Sequence, residues 1–158
     1  MASNRAKALA GGGALALAIG IIMVFEGNVP ETYLDPIGIP TVCVGHTGSD
    51  VKMGEKKTAE ECRALLSADL QVAWEAQARC LVNPEKLEPW TRAAFASFTF
   101  NVGVDAFCKS TAAKLLNQGN ITAACTEMLR WTKAAGKELK GLVRRRQAEY
   151  RLCLGEKW

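Results

Sequence analysis

From Ala8 to Phe25 the chain runs eighteen residues without a charge, and the next residue is Glu26. A run of this kind has to be buried, in lipid or in protein. As an α-helix it spans about 27 Å, close to the roughly 30 Å hydrocarbon core of a bilayer. Arg5 and Lys7 precede it, which would place the N-terminus in the cytoplasm and everything after the run outside. As a membrane span it is weak. Only eight of its residues are Leu, Ile, Val or Phe, each worth roughly −0.3 to −0.6 kcal/mol of insertion. Gly11, Gly12, Gly13 and Gly20 each cost about 1 kcal/mol of helix propensity.

Three readings of the run compete. A stable anchor wants a stronger run. A cleaved signal peptide would use Ala14-Leu15-Ala16 or Ala16-Leu17-Ala18, but both sites fall mid-run with apolar residues still to come. A core helix of a soluble protein is the third, and eighteen uncharged residues is long for one. An anchor able to leave the bilayer fits the weakness. Ala18, Ile21, Ile22 and Phe25 form an i, i+3, i+4, i+7 stripe, which would pack on the rest of the protein after release.

At 158 residues the chain is one domain, or two lobes sharing a core. The net charge of +4 favours a polyanionic partner: cell-wall polymer, lipid headgroups or nucleic acid. The basic run Arg144 to Arg146 comes with no recognised nucleic-acid motif, so nucleic acid is excluded as a partner. The six cysteines, Cys43, Cys62, Cys80, Cys108, Cys125 and Cys153, all lie beyond the apolar run. If that run directs export, all six reach an oxidising compartment, which permits three disulfides. Fifteen pairings are open, and buried free thiols are the alternative. There is no CxxC and a single histidine, so neither a metal site nor a cofactor is expected.

Beyond Glu26, Pro30, Asp35-Pro36 and Gly38 mark turns, and Thr41 to Val44 is β-prone. The pattern predicts a small β-hairpin sheet over 31–49. Thr58-Ala-Glu-Glu61 has the form of a capping box and opens a helix to about Arg79, with Leu65, Leu66, Leu70, Val72 and Trp74 turned partly inward. A buried helix over 88–100, helices over about 109–117, 120–131 and 141–153, and a basic loop over 131–140 follow. The plan is α+β: a small β-hairpin lobe and a larger helical lobe, behind an N-terminal transmembrane or releasable helix. The divisions are 1–25, 26–72 and 73–158.

Glu26, Asp35 and Thr41 stand as Glu, eight residues, Asp, five residues, Thr. Two carboxylates flanking a turn, with a hydroxyl after them, suit glycosidic hydrolysis. One protonates the leaving oxygen, and the other, with the hydroxyl, holds and activates water.

In register with this spacing come TVCVGHTG, KTAEECRALLSADL, FNVG, RWTKAAGK and GLVRRRQAEYRLC. Together, from Glu26 to about Cys153, these resemble phage-type lysozymes of the T-even superfamily, and the Ala/Gly-rich N-terminus resembles the signal-anchor-release endolysins of lambdoid phages. The resemblance implies a lysozyme-like fold and hydrolysis, with inversion, of the β-1,4 bond between N-acetylmuramic acid and N-acetylglucosamine. It maps Glu26 to the general acid and Asp35 and Thr41 to the pair that positions water. It puts an Arg beside the acid, for which Arg145 matches best, with Arg144 and Arg146 as competing registers.

The resemblance also implies a structural ion pair between His46 and Asp69. The disulfides implied are Cys43 with Cys62, Cys125 with Cys153, and Cys80 with Cys108. Trp74, Trp90 and Trp131 read as packing, and Asn101 to Val104 as cleft lining. The partners implied are peptidoglycan strands and, before release, the bacterial inner membrane through residues 8–25. The protein would face the periplasm while tethered and be a soluble periplasmic monomer afterwards. A membrane-tethered peptidoglycan binder without catalysis and a lytic transglycosylase, which needs only the acid, are the alternatives.

Overall fold

The computed structural model describes the backbone of residues 2–158 and the side chains of residues 13–158. The chain opens with helix α1 (Ala2–Glu26), which ends where Gly27 turns at φ 71°. Strands β1 (Val29–Leu34), β2 (Pro40–Cys43) and β3 (His46–Thr47) follow as one antiparallel sheet in the order β1-β2-β3. The expected hairpin therefore carries a third, two-residue strand. Tyr33 sits opposite Thr41 and Leu34 opposite Pro40, with a bulge between Val29 and Tyr33.

Helix α2 (Ala59–Ala78) starts at the capping box foreseen from Thr58 and Glu61. Thr58 Oγ1 accepts from the Glu61 amide at 3.1 Å, and Glu61 Oε2 accepts from the Thr58 amide at 2.6 Å. Leu66 and Leu70 are buried on it, whereas Val72 is 69% exposed. That corrects the inward placement of Val72: it lies two residues past Leu70, about 200° around the helix.

The helical lobe comprises α3 (Pro89–Val102), α4 (Val104–Lys109), α5 (Thr111–Asn117), α6 (Ile121–Glu127) and α7 (Lys140–Cys153). Between α6 and α7 lies a small hairpin of β4 (Lys133–Ala134) and β5 (Lys137–Glu138), where the sequence suggested only a loop. Helix α4 is also new. Gly103 at φ 91° separates it from α3, and six residues are too few to show a helical period.

Helix α3 is the centre of the molecule, buried at every residue from Thr91 to Thr99. Phe95, Phe98 and Phe107 cluster around it with ring centroids 5.9–6.4 Å apart, and Trp131 meets Phe98 edge-on at 5.4 Å. Helix α1 packs most extensively on α3. Ala14, Ala18, Ile21 and Ile22 are buried there, while Phe25 is only partly covered. Three disulfides close loops: Cys43–Cys62, Cys80–Cys108 and Cys125–Cys153, the pairs the resemblance implied.

Among the described residues no helix is long and apolar enough to cross a membrane. The first part of the expected membrane segment, residues 8–12, lies outside the described side chains.

Because Ile22 is fully buried between α1 and the rest of the lobe, Ile22→Ala is expected to lower unfolding free energy by about 2–5 kcal/mol. Denaturant titration of the oxidised protein measures it. A loss well under about 1 kcal/mol would mean that α1 contributes little to the folded lobe.

Candidate active site

The last residue of α1 and the second turn of α7 meet in an ion pair between Glu26 Oε1 and Arg145 Nη1. Of the three arginines in the run, Arg145 is the one on Glu26. Its side chain is 4% exposed, while that of Glu26 is 33% exposed. The pair opens into a cleft of about 600 Å³ whose walls include Val24, Phe25, Asn101, Leu142 and Arg144.

Arg145 is held from behind by Glu149, one helical turn on. Its Nε lies 3.1 Å from Glu149 Oε1, and Ser97 Oγ donates to the same oxygen at 2.7 Å. Arg146 closes the other side, with Nε 2.9 Å from Glu149 Oε2 and Nη2 donating to Asn101 Oδ1 at 2.8 Å. Burial pulls the Arg146 guanidinium down to about 10 and pushes the Glu149 carboxyl up from its ordinary value. Desolvation works against both charges, and each is held by the other.

Asp35 and Thr41 come together in the β lobe. Asp35 Oδ1 accepts from the amides of Ile37 at 2.9 Å and Ile39 at 2.8 Å, closing the β1–β2 turn on its own side chain. Thr41, buried on β2, donates Oγ1 to the Ile39 carbonyl at 3.0 Å. The site therefore has two halves, Glu26 with Arg145 and Asp35 with Thr41. No hydrogen bond or ion pair among the described residues joins them.

The chain is similar to known proteins over most of its length. The family model described as phage lysozyme matches residues 23–149. The chain is 42% identical to the SAR-endolysin of Bacteriophage PS119, covering 96% of this chain and 93% of that protein. A mutant P22 lysozyme superposes with a TM-score of 0.79 at 38% identity, over 87% of this chain and 94% of the other. The muramidase domain of SpmX from Asticaccaulis excentricus does so at 0.78 and 34%, with the same coverage.

The chain belongs to the phage lysozyme family. It is a glycoside hydrolase of the lysozyme type, and its lysozyme-like α+β fold is the one foreseen.

His46 of this lysozyme lies between two carboxylates, Nδ1 at 2.7 Å from Asp69 and Nε2 at 3.1 Å from Asp50. The resemblance implied Asp69; Asp50 was not foreseen. Trp131 packs on Phe98, and Trp74 lies beneath the Arg92 guanidinium at 3.9 Å. Trp90 and Trp158 are 39% and 41% exposed, so Trp90 is less a packing residue than its surroundings in the sequence suggested.

Glu149 and Ser97 were missed. The spacing of Glu149 three and four residues beyond Arg146 and Arg145 was a readable signal for ion pairs. Their complete burial was not readable.

Burial would lower the His46 imidazolium, but hydrogen bonds to Asp69 and Asp50 outweigh it and the pKa is raised above 6.5. A raised value means the pair stabilises fully below the unfolded-state value and fades as pH rises through the folded-state value. His46→Ala is expected to cost more stability at pH 5 than at pH 8, with turnover largely retained. Thermal melts and turnover assays across that range measure both. A cost that grows with pH, or a folded variant without turnover, contradicts this role.

Proposed function

We propose that this chain is an endolysin muramidase. It hydrolyses the β-1,4 bond between N-acetylmuramic acid and N-acetylglucosamine of peptidoglycan, for host lysis. The observation that carries the reading is the Glu26 carboxyl held by buried Arg145 at the wall of an open cleft. Arg145 engages Oε1, so Oε2 is the oxygen that protonates the leaving glycosidic oxygen.

Asp35 is the partner base. Its Oδ1 is occupied by turn amides, and Oδ2 takes the proton of the attacking water. Thr41 spends its own proton on the Ile39 carbonyl and accepts from that water through a lone pair. Two oxygens on the water favour hydrolysis over the internal attack of a transglycosylase.

The same protein is first held in the bacterial inner membrane by residues 8–25, facing the periplasm. Glu26 is the last residue of α1. While α1 sits in lipid, the acid is pinned at the bilayer surface, away from Arg145. On release, the stripe of Ala18, Ile21 and Ile22 exchanges lipid for the surface of α3, and the acid reaches its partner. One helix with two burial sites is a two-state switch. The SAR-endolysin name of the 42% identical relative supports this reading, as does the weakness of the apolar run.

Glu26→Gln is expected to remove at least about 99% of peptidoglycan turnover by detergent-free protein, a loss of the size usual for a general acid. Mass spectrometry of the wild-type products should show reducing-end muramic acid. Anhydro-muramic ends would make the chain a transglycosylase, and a folded but inactive wild type would leave a binding module. Separately, replacing Gly11, Gly12 and Gly13 with Leu should strengthen the anchor and suppress lysis in vivo. Lysis on the normal schedule by that variant would remove the release step.

A further inference from the structure

Asn101 stands on the last turn of α3 and lines the cleft that holds Glu26. Its Oδ1 accepts from Arg146 Nη2 at 2.8 Å. A guanidinium has donors only, so the atom facing it is the amide oxygen, and the NH2 group is the end that remains. Arg146 has no freedom to turn away. It is fully buried, its Nε lies 2.9 Å from Glu149 Oε2, and its guanidinium sits 4.9 Å from the Phe98 ring. Among the described residues no protein oxygen accepts from Asn101 Nδ2. The cleft thus receives a donor whose direction is set from the protein core.

We propose that Asn101 is a specificity-determining residue that donates from Nδ2 to the carbonyl oxygen of a 2-acetamido group on the bound sugar. Arg146 and Glu149 are the positioning residues that fix its amide. The inference rests on the muramidase reading above and names the sugar substituent this part of the site selects. A ring hydroxyl both donates and accepts and would be served by many partners. An acetamido carbonyl only accepts, and it carries a methyl group. Val24, Phe25 and Leu142 give the same cleft an apolar wall for that methyl. A donor-only amide beside an apolar wall therefore matches an acetamido group better than a hydroxyl.

Asn101→Asp tests this, because it keeps an oxygen for Arg146 and replaces the donor with an acceptor. Relative to wild type, kcat/KM is expected to fall about tenfold or more on N-acetylated peptidoglycan and less than about twofold on the de-N-acetylated polymer. Equal losses on the two substrates would overturn the assignment, since a merely structural role does not distinguish them.

A second arm needs no turnover. In Glu26→Gln, the Asn101 side-chain NH2 resonances should move on titration with tri-N-acetylchitotriose and stay in place with cellotriose, which has a hydroxyl where the acetamido group was. Resonances that move with neither sugar, or equally with both, reject the proposal. An inactive wild type would defeat the muramidase reading and leave this titration to decide the role of Asn101.

Discussion

The pairing of Glu26 with Arg145 joins the end of α1 to α7, so it exists only while α1 lies docked on the helical lobe. What holds α1 there is apolar burial. Ile21 and Ile22 are fully covered, with Ala14 and Ala18 behind them, and each covered Ile is worth about 1.5–3 kcal/mol. The ion pair adds position more than strength. A half-exposed carboxylate meeting a buried guanidinium returns little net energy after desolvation, but it sets the angle at which the carboxyl enters the cleft. Folding and the assembly of the site are therefore the same event along this helix.

Behind that pair lies an unusual concentration of charge for a protein interior. Arg145, Arg146 and Glu149 are all buried; Ser97 and Asn101 supply part of their hydrogen bonding, while Arg146 Nη1 has no partner among the described residues. Hydrophobic residues of similar volume would stabilise the lobe at least as well. Two α7 arginines pointed in different directions from one carboxylate do what apolar residues cannot. One reaches Glu26 on α1 and the other reaches Asn101 on α3, so both walls of the cleft are referred to a single buried anchor.

The β lobe is fastened to the helical body through α2. Cys43 on β2 is bonded to Cys62, and His46 on β3 pairs with Asp69, two turns further along the same helix. A covalent and an ionic attachment on one helix fix the sheet's orientation, and with it the Asp35 turn and Thr41. The bond between Cys43 and Cys62 closes a loop that contains neither carboxylate. It acts on the site only by holding the sheet that carries the Asp35 turn and Thr41.

Much of this was legible in the residues themselves. The capping box at Thr58 and Glu61, the Ala18–Ile21–Ile22 stripe and the helices around Phe95 and Arg145 follow from local chemistry and period, and the structure has them. Their signals lie within a few residues of one another, where chain geometry alone decides who meets whom. Helix α4 and the β4–β5 hairpin were not legible, because they are too short to carry a period. The outward turn of Val72 was legible in the helical period, since it lies about 200° from buried Leu70, but its hydrophobicity suggested the opposite face. The sequence by itself determined which residues are acids, hydroxyls and thiols, and that α1 must be buried. Only the tertiary structure decided that Arg145 and not its neighbours meets Glu26, and that Glu149 is buried between two arginines. Those outcomes depend on how α1, α3 and α7 pack across more than a hundred residues of chain, and no local interaction encodes that.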